Sequence, residues 1–193
     1  MKQKIQIRCK NNKKSQKVEI GSTLFDVFSS FDLKMTHGPV SARVNNKVEG
    51  MHYRVYNSKD VEFLDMNSAS GSRAYTRTLF FVLCKAVQDI YPNTDVVIDI
   101  PVSNGFYVDI RLGRPVVDED VNILRRRMQE IIDSKMPIRR FTVPTEEAIA
   151  LFQEKGDVEK VKLLRTSGSI YTTYYKIGEY VDYYCLLYTS PSP

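Results

Sequence analysis

The side chains able to do chemistry are few and poorly grouped. His37 precedes Gly38-Pro39 in a turn, and His52 follows fifteen residues later with no acid spaced to complete a triad. Each reads as a surface loop residue, because an imidazole acts as a base only when a partner orients it. Cys9, Cys84 and Cys185 are odd in number and far apart, which argues against a disulfide framework and makes a reducing cytoplasm the expected compartment. Neither G-x-x-x-x-G-K-S/T nor G-x-G-x-x-G occurs, so the sequence offers no loop to cradle a phosphate.

Charge is the larger resource. Lys2, Lys4, Arg8, Lys10, Lys13, Lys14 and Lys17 crowd the first hairpin, where phosphate contacts would give salt-dependent affinity. Lys10, Lys13, Lys14 and Lys17 are therefore the candidate RNA-binding residues. A solubilising edge hairpin is the plainer explanation of the same lysines. Arg125-Arg126-Arg127 reads as a solvated helix face rather than a phosphate patch. Tyr171, Tyr174, Tyr175, Tyr180, Tyr183 and Tyr184 offer rings for base stacking, although sheet propensity and core packing are the plainer explanation.

The chain that must position these residues has 193 of them, enough for one large or two small domains with real cores. A hydrophobic content of 42% with 26% charged residues is ordinary for a globular protein. No window approaches the roughly 18 apolar residues of a membrane span. MKQKIQIRCK at the N-terminus lacks the apolar core of a signal peptide. Residues 1–66 hold 12 Lys and Arg against 7 Asp and Glu, a net of +5, and the remainder balances at 16 and 16. All the basic excess lies in the first third.

Periodicity places the elements. Lys4 to Cys9 and Gln16 to Ile20 alternate as strands of a hairpin, with Lys10 to Lys14 as its turn. Ser22-Thr23 caps a helix whose apolar positions are Leu24, Phe25, Val27, Phe28 and Phe31. Val40 to Val44 is a strand, Asn45-Asn46 a turn, and Val61 to Leu64 a last strand, which together make a ubiquitin-like roll. Asn67 to Ser72, small and polar, reads as a linker.

A long helix follows, with Leu79, Leu83, Ala86 and Ile90, and Val82 and Val87 beside them, as its apolar stripe, until Tyr91-Pro92-Asn93 stops it. Asp95 to Pro101 and Phe106 to Ile110 are paired strands about the Ser103-Asn104-Gly105 turn. Pro115 to Ser134 is a second strong helix, with Asp118, Glu119 and Asp120 at its dipole-favoured start and Val121, Leu124, Met128, Ile131 and Ile132 buried. Arg139 to Val143 is a strand, a helix runs from Pro144 to Phe152, and Gly156 separates it from a short helix ending near Arg165. Ser169 to Ile177 and Tyr180 to Tyr184 are tyrosine-rich strands.

Residues 73–184 resemble the editing-type second N-terminal domain of threonyl-tRNA synthetases, shared with alanyl-tRNA synthetase relatives. The segments that carry the resemblance are Tyr91-Pro92-Asn93, Asn104-Gly105-Phe106-Tyr107, Asp118-Glu119-Asp120-Val121 and Gly178-Glu179-Tyr180-Val181-Asp182. Residues 1–66 resemble the TGS domain, the β-grasp module that precedes it in that family, through Ala42-Arg43-Val44-Asn45 and Lys47-Val48. The expected fold is therefore α+β, a β-grasp TGS domain, a linker at 67–72 and an editing-type α+β domain. The last nine residues, CLLYTSPSP, do not continue the pattern and are expected to be non-native or unstructured. The editing-type domain would then be incomplete and leave an exposed sheet edge.

The resemblance also implies chemistry: a His-x-x-x-His pair on the first helix and a Cys-x-x-x-His near the end, able to form a metal or hydrolytic site. Here the two helix positions hold Phe81 and Lys85, the cysteine position holds Tyr184, and the last falls at Tyr188. A phenyl ring cannot bind metal, and a lysine is cationic at neutral pH. Phe81, Lys85 and Tyr184 thus mark a degenerate pocket, with no catalytic residue, no metal and no cofactor expected in this chain. Cys84, about 100° round the helix from Lys85, reads as a small core residue.

A TGS-like domain followed by a degenerate editing-type domain is similar to the N-terminus of bacterial uridine kinase-like nucleoside kinases. The first functional expectation is accordingly a non-catalytic accessory region of such a kinase, whose P-loop domain, with ATP and magnesium, would be its partner and lie beyond this chain. The alternative is a tRNA- or RNA-binding module related to threonyl-tRNA synthetase. Editing hydrolysis of mischarged tRNA stands third, against the lost side chains.

Overall fold

The computed structural model describes residues 3–103 and 105–183. Its chain divides into two compact units, with the boundary between Thr78 and Leu79.

The first unit begins with strands β1 (Lys4–Cys9) and β2 (Ser15–Glu19), followed by helix α1 (Leu24–Ser30) and strands β3 (Ser41–Val44), β4 (Lys47–Gly50) and β5 (Lys59–Leu64). The sheet order is β2-β1-β5-β3-β4, and β1 runs parallel to β5 while the other pairs are antiparallel. This is the β-grasp arrangement that the sequence predicts. Alternation sets its faces: Ile7 and Cys9 are buried while Lys4, Gln6 and Arg8 point to solvent. Thr23 caps α1, its hydroxyl accepting from the Asp26 amide at 3.2 Å while the Asp26 carboxylate accepts from the Thr23 amide at 2.8 Å. Leu24, Val27 and Phe31 fill the core, joined by Ala42, Val44, Met51, Val55, Val61 and Phe63. Phe25, expected on the apolar face, is instead 44% exposed.

Strand β4 is an element the sequence reading did not name. Asn45 and Asn46 both adopt positive φ, 45° and 71°, the geometry of a two-residue hairpin turn whose twist suits the flanking strands. That turn pairs Val44 with Lys47 and makes Lys47–Gly50 a strand in spite of its lysine, glutamate and glycine.

Helix α2 (Ala69–Ile90) crosses the boundary between the units. Four residues of the expected linker, Ala69 to Ser72, form its first turn. Ser68, just before the helix, accepts from the Gly71 amide at 3.1 Å, so small polar residues act here as a cap rather than a tether. Gly71 is needed for space: a Cβ there would lie 1.8 Å from the Asp65 carbonyl oxygen.

The second unit adds β6 (Val96–Val102), β7 (Gly105–Ile110), α3 (Asp118–Asp133), β8 (Arg139–Pro144), α4 (Thr145–Glu154), α5 (Val158–Thr166), β9 (Tyr171–Ile177) and β10 (Tyr180–Asp182). Strands β6 and β7 make a two-stranded ribbon, and β10-β9-β8 make an antiparallel sheet. Ala148, Ile149, Phe152, Val161, Leu164 and Val181 bind α4 and α5 to the sheet, with Val143 and Tyr174 packed against them.

Both apolar stripes of this unit differ from expectation. On α2 the expected Val82, Cys84, Ala86 and Val87 are buried, but Phe81 and Lys85 are buried with them and Ile90 is exposed. On α3 only Leu124 and Ile131 of the expected set are buried, with Val121 and Ile132 exposed and Asp120 buried beside them. For α2 the sheet decides this: Phe81 packs on Tyr180 and Tyr175, with ring centroids 5.2 and 6.4 Å apart. An aromatic face outcompetes the aliphatic stripe for burial area. Among the described residues no helix is long and apolar enough to cross a membrane.

Candidate functional site

A cavity of about 880 Å³ opens within the second unit. The last turns of α2 supply Cys84, Lys85, Gln88 and Asp89, the α4–α5 loop and the first turn of α5 supply Lys155 to Lys160, and Glu179 to Asp182 close it at β10. Gln88 holds the loop after α2, its amide nitrogen donating to the Thr94 carbonyl at 2.9 Å.

The cavity is lined with charge, and two of its lysines, Lys85 and Lys160, are each paired with carboxylates. Lys85 is only 7% exposed, an unusual place for an ammonium, and it donates to Asp89 one turn on. Asp89 also accepts from Arg127 Nη2 and Nε, at 2.9 and 3.0 Å, so α2 and α3 share one carboxylate. Burial pushes that carboxyl up, but the hydrogen bonds from Lys85 and Arg127 outweigh it and hold Asp89 below the ordinary carboxylate range.

Across the cavity Lys160 donates to Asp157 at 2.6 Å and to Asp182 at 2.8 Å, with its ammonium 5.8 Å from the centre of the Phe152 ring. Burial pulls Lys160 down, yet the Asp182 and Asp157 charges win and raise it above the ordinary lysine value. Asp182 in turn accepts from the Tyr180 hydroxyl at 2.6 Å.

A separate clamp sits at the start of α3. Buried Asp120 accepts from Arg114 Nη1 and Nη2 at 2.7 and 2.8 Å, from the Tyr91 hydroxyl at 2.6 Å and from the Val117 amide at 3.0 Å. The Arg114 and Tyr91 hydrogen bonds, with the Val117 amide, hold its carboxyl far below the usual range. It ties the Tyr-Pro stop of α2 to the start of α3.

Of the sequence-derived positions, Lys85 lines the cavity and Phe81 lies one turn away, wholly buried under the tyrosines of the sheet. Tyr184 lies outside the described residues, as does the expected tail. Cys84 is buried at the cavity wall. His37 and His52 are exposed and belong to the first unit. Among the described residues no group of three His, Cys, Asp or Glu side chains could hold a metal ion. Lys10, Lys13, Lys14 and Lys17 are all exposed on the β1–β2 hairpin, at the sheet edge formed by β2.

The tyrosines are mostly committed elsewhere. Tyr174 stacks on Phe141 at 5.3 Å and 17°, Tyr175 is buried, and Tyr180 packs on Phe81, which leaves Tyr171 exposed. Of the arginine triplet, Arg127 bonds Asp89 and Glu130 while Arg125 and Arg126 remain exposed.

Sequence reasoning missed Asp89, Lys160 and the clamp on Asp120. The first had a legible signal, since Lys85 and Asp89 are four apart on one helix. The pairing of Lys160 with Asp182 had none, because it is made only when α5 meets β10.

No protein-family model matches the chain. Curated relatives do. It is 31% identical over 163 residues to a threonine–tRNA ligase of Acetivibrio thermocellus, covering 84% of this chain and 26% of that protein. The ligase of Clostridium kluyveri is 29% identical over 180 residues, 92% of this chain and 28% of its own. That of Clostridioides difficile is 29% identical over 161 residues, 83% and 25%. The chain thus spans about a quarter of the length of the curated relatives it matches.

Proposed function

We propose that this chain is a non-hydrolytic, tRNA-related module that binds RNA through its basic hairpin. The observation that carries the reading is the combination of threonine–tRNA ligase relatives across most of the chain with a cavity whose Lys85 and Lys160 ammonium groups are both held by carboxylates. Lys85 and Lys160 are both tied to carboxylates, so no uncompensated base faces the cavity from either position. These relatives support the tRNA-related alternative over the nucleoside-kinase expectation, to which ATP and magnesium alone belonged.

RNA contact falls to Lys10, Lys13, Lys14 and Lys17, exposed cations on the part of the chain that carries the whole basic excess. Lysines without a bidentate fork read phosphate rather than base identity, so affinity would depend on salt and little on sequence. Titrating labelled tRNA into the protein at low and moderate salt tests this. Binding that weakens as salt rises is expected, with no release of amino acid from seryl-tRNA. Absence of binding, or binding indifferent to salt, overturns the reading; deacylation overturns the non-hydrolytic part of it.

A further inference from the structure

The first unit carries exposed rings in one place. Ile20 (38% exposed), Phe25 (44%) and Tyr56 (64%) all flank one seam, where residues 20–25 run beside 51–56. The seam is held by an antiparallel bridge between Thr23 and Arg54, by Leu24 N–H to the Tyr53 carbonyl at 3.0 Å, and by Gly21 N–H to the Val55 carbonyl at 2.8 Å. Met51 and Val55 face the core, with Tyr53 packed against it, so His52, Arg54 and Tyr56 alternate onto the solvent side. His52 meets Phe25 edge-on at 5.2 Å. Arg54 is held by donating to the Gly21 carbonyl at 2.7 Å, and Tyr56 lies over the same glycine. Apolar surface gathered this way marks an interaction site rather than scatter.

We propose that His52, Arg54, Tyr56 and Phe25 form a stacking platform for an unpaired nucleotide of RNA. Three rings and a guanidinium offer faces on which any base can stack. Charge complementarity favours a polyanion over an apolar protein partner: this part of the chain holds the net +5, and Lys4 and Lys17 lie on the strands that lead into the seam. Asp26, beside Phe25 in the chain, is committed to the cap of α1.

The inference rests on the RNA reading above and names the site that would separate single-stranded from double-stranded RNA. Its test is fluorescence anisotropy of the full chain with a labelled oligouridylate and with an RNA duplex of equal length. Tyr56→Ala and Phe25→Ala together should weaken single-strand binding roughly 5- to 150-fold, the range for loss of base stacking. They should leave duplex affinity and the salt slope unchanged, and Tyr56→Phe should bind as the parent. Circular dichroism checks that these exposed positions leave the fold intact. Equal loss on both RNAs, or no loss, overturns the platform while the RNA reading stands. If the parent binds neither RNA, both fail. Self-association abolished by the same substitutions, with RNA affinity untouched, overturns the platform in favour of a protein-docking surface.

Discussion

Lys85 shows how one side chain changes what a cavity can do. An ammonium this buried survives only because Asp89 meets it, and Asp89 has a second cation in Arg127. The three groups are therefore unequal under substitution. Asp89→Asn strips Lys85 of its counter-charge and should cost roughly 2–4 kcal/mol in urea unfolding, somewhat under the ~3–5 kcal/mol of a fully buried pair because the Asp89 side chain is 23% exposed. Lys85→Met leaves Asp89 with Arg127 and replaces the stem with an apolar one of similar length, so about 1 kcal/mol or less is expected. A Lys85→Met variant as unstable as Asp89→Asn would show that the pair is not what holds the lysine.

At the scale of elements, α3 depends on its first turn. Asp120 closes it by accepting from Arg114, Tyr91 and the Val117 amide at once, and its folded carboxyl lies far below the ~3.9 of an unfolded aspartate. A depressed carboxyl contributes stability that is complete above the unfolded value and is lost as pH falls toward the folded one. Unfolding free energy should therefore decline below about pH 4, and Asp120→Asn, weaker at neutral pH, should show a flatter acid limb. Equal acid slopes for the two proteins would remove Asp120 from that role. The start of α2 follows similar logic with neutral groups. Ser68 caps it and Gly71 leaves room for the Asp65 carbonyl, which is why a stretch that reads as a linker is helical.

For the whole molecule the governing asymmetry is charge: +5 on residues 1–66 and none on the rest. If the basic hairpin supplies the RNA contacts, changing Lys10, Lys13, Lys14 and Lys17 together to Gln should flatten the plot of log affinity against log salt. A slope change of roughly 3 is expected if each lysine neutralises one phosphate. Arg125→Gln with Arg126→Gln is the control, and should leave the slope alone. A reversed result would move the RNA contact to α3.

Much was legible in the sequence. The alternation of Ile5, Ile7 and Cys9, the Thr23 cap and the Tyr91-Pro92 stop placed strands and helices within a few residues of where they lie. Local periodicity and backbone chemistry are properties of the chain itself. The β-grasp order followed from those elements, and the phenyl ring and ammonium at positions 81 and 85 are read directly from the sequence. Tertiary packing decided the rest. It buried Phe81 and Lys85 in preference to Leu79 and Ile90, because the tyrosines of β9 and β10 present an aromatic face to α2. It brought Lys160 to Asp182 across 22 residues of chain, and His52 to Phe25 across 27. Which face of a helix is covered, and which distant charges meet, depend on the partner surface, and no window of sequence contains that partner.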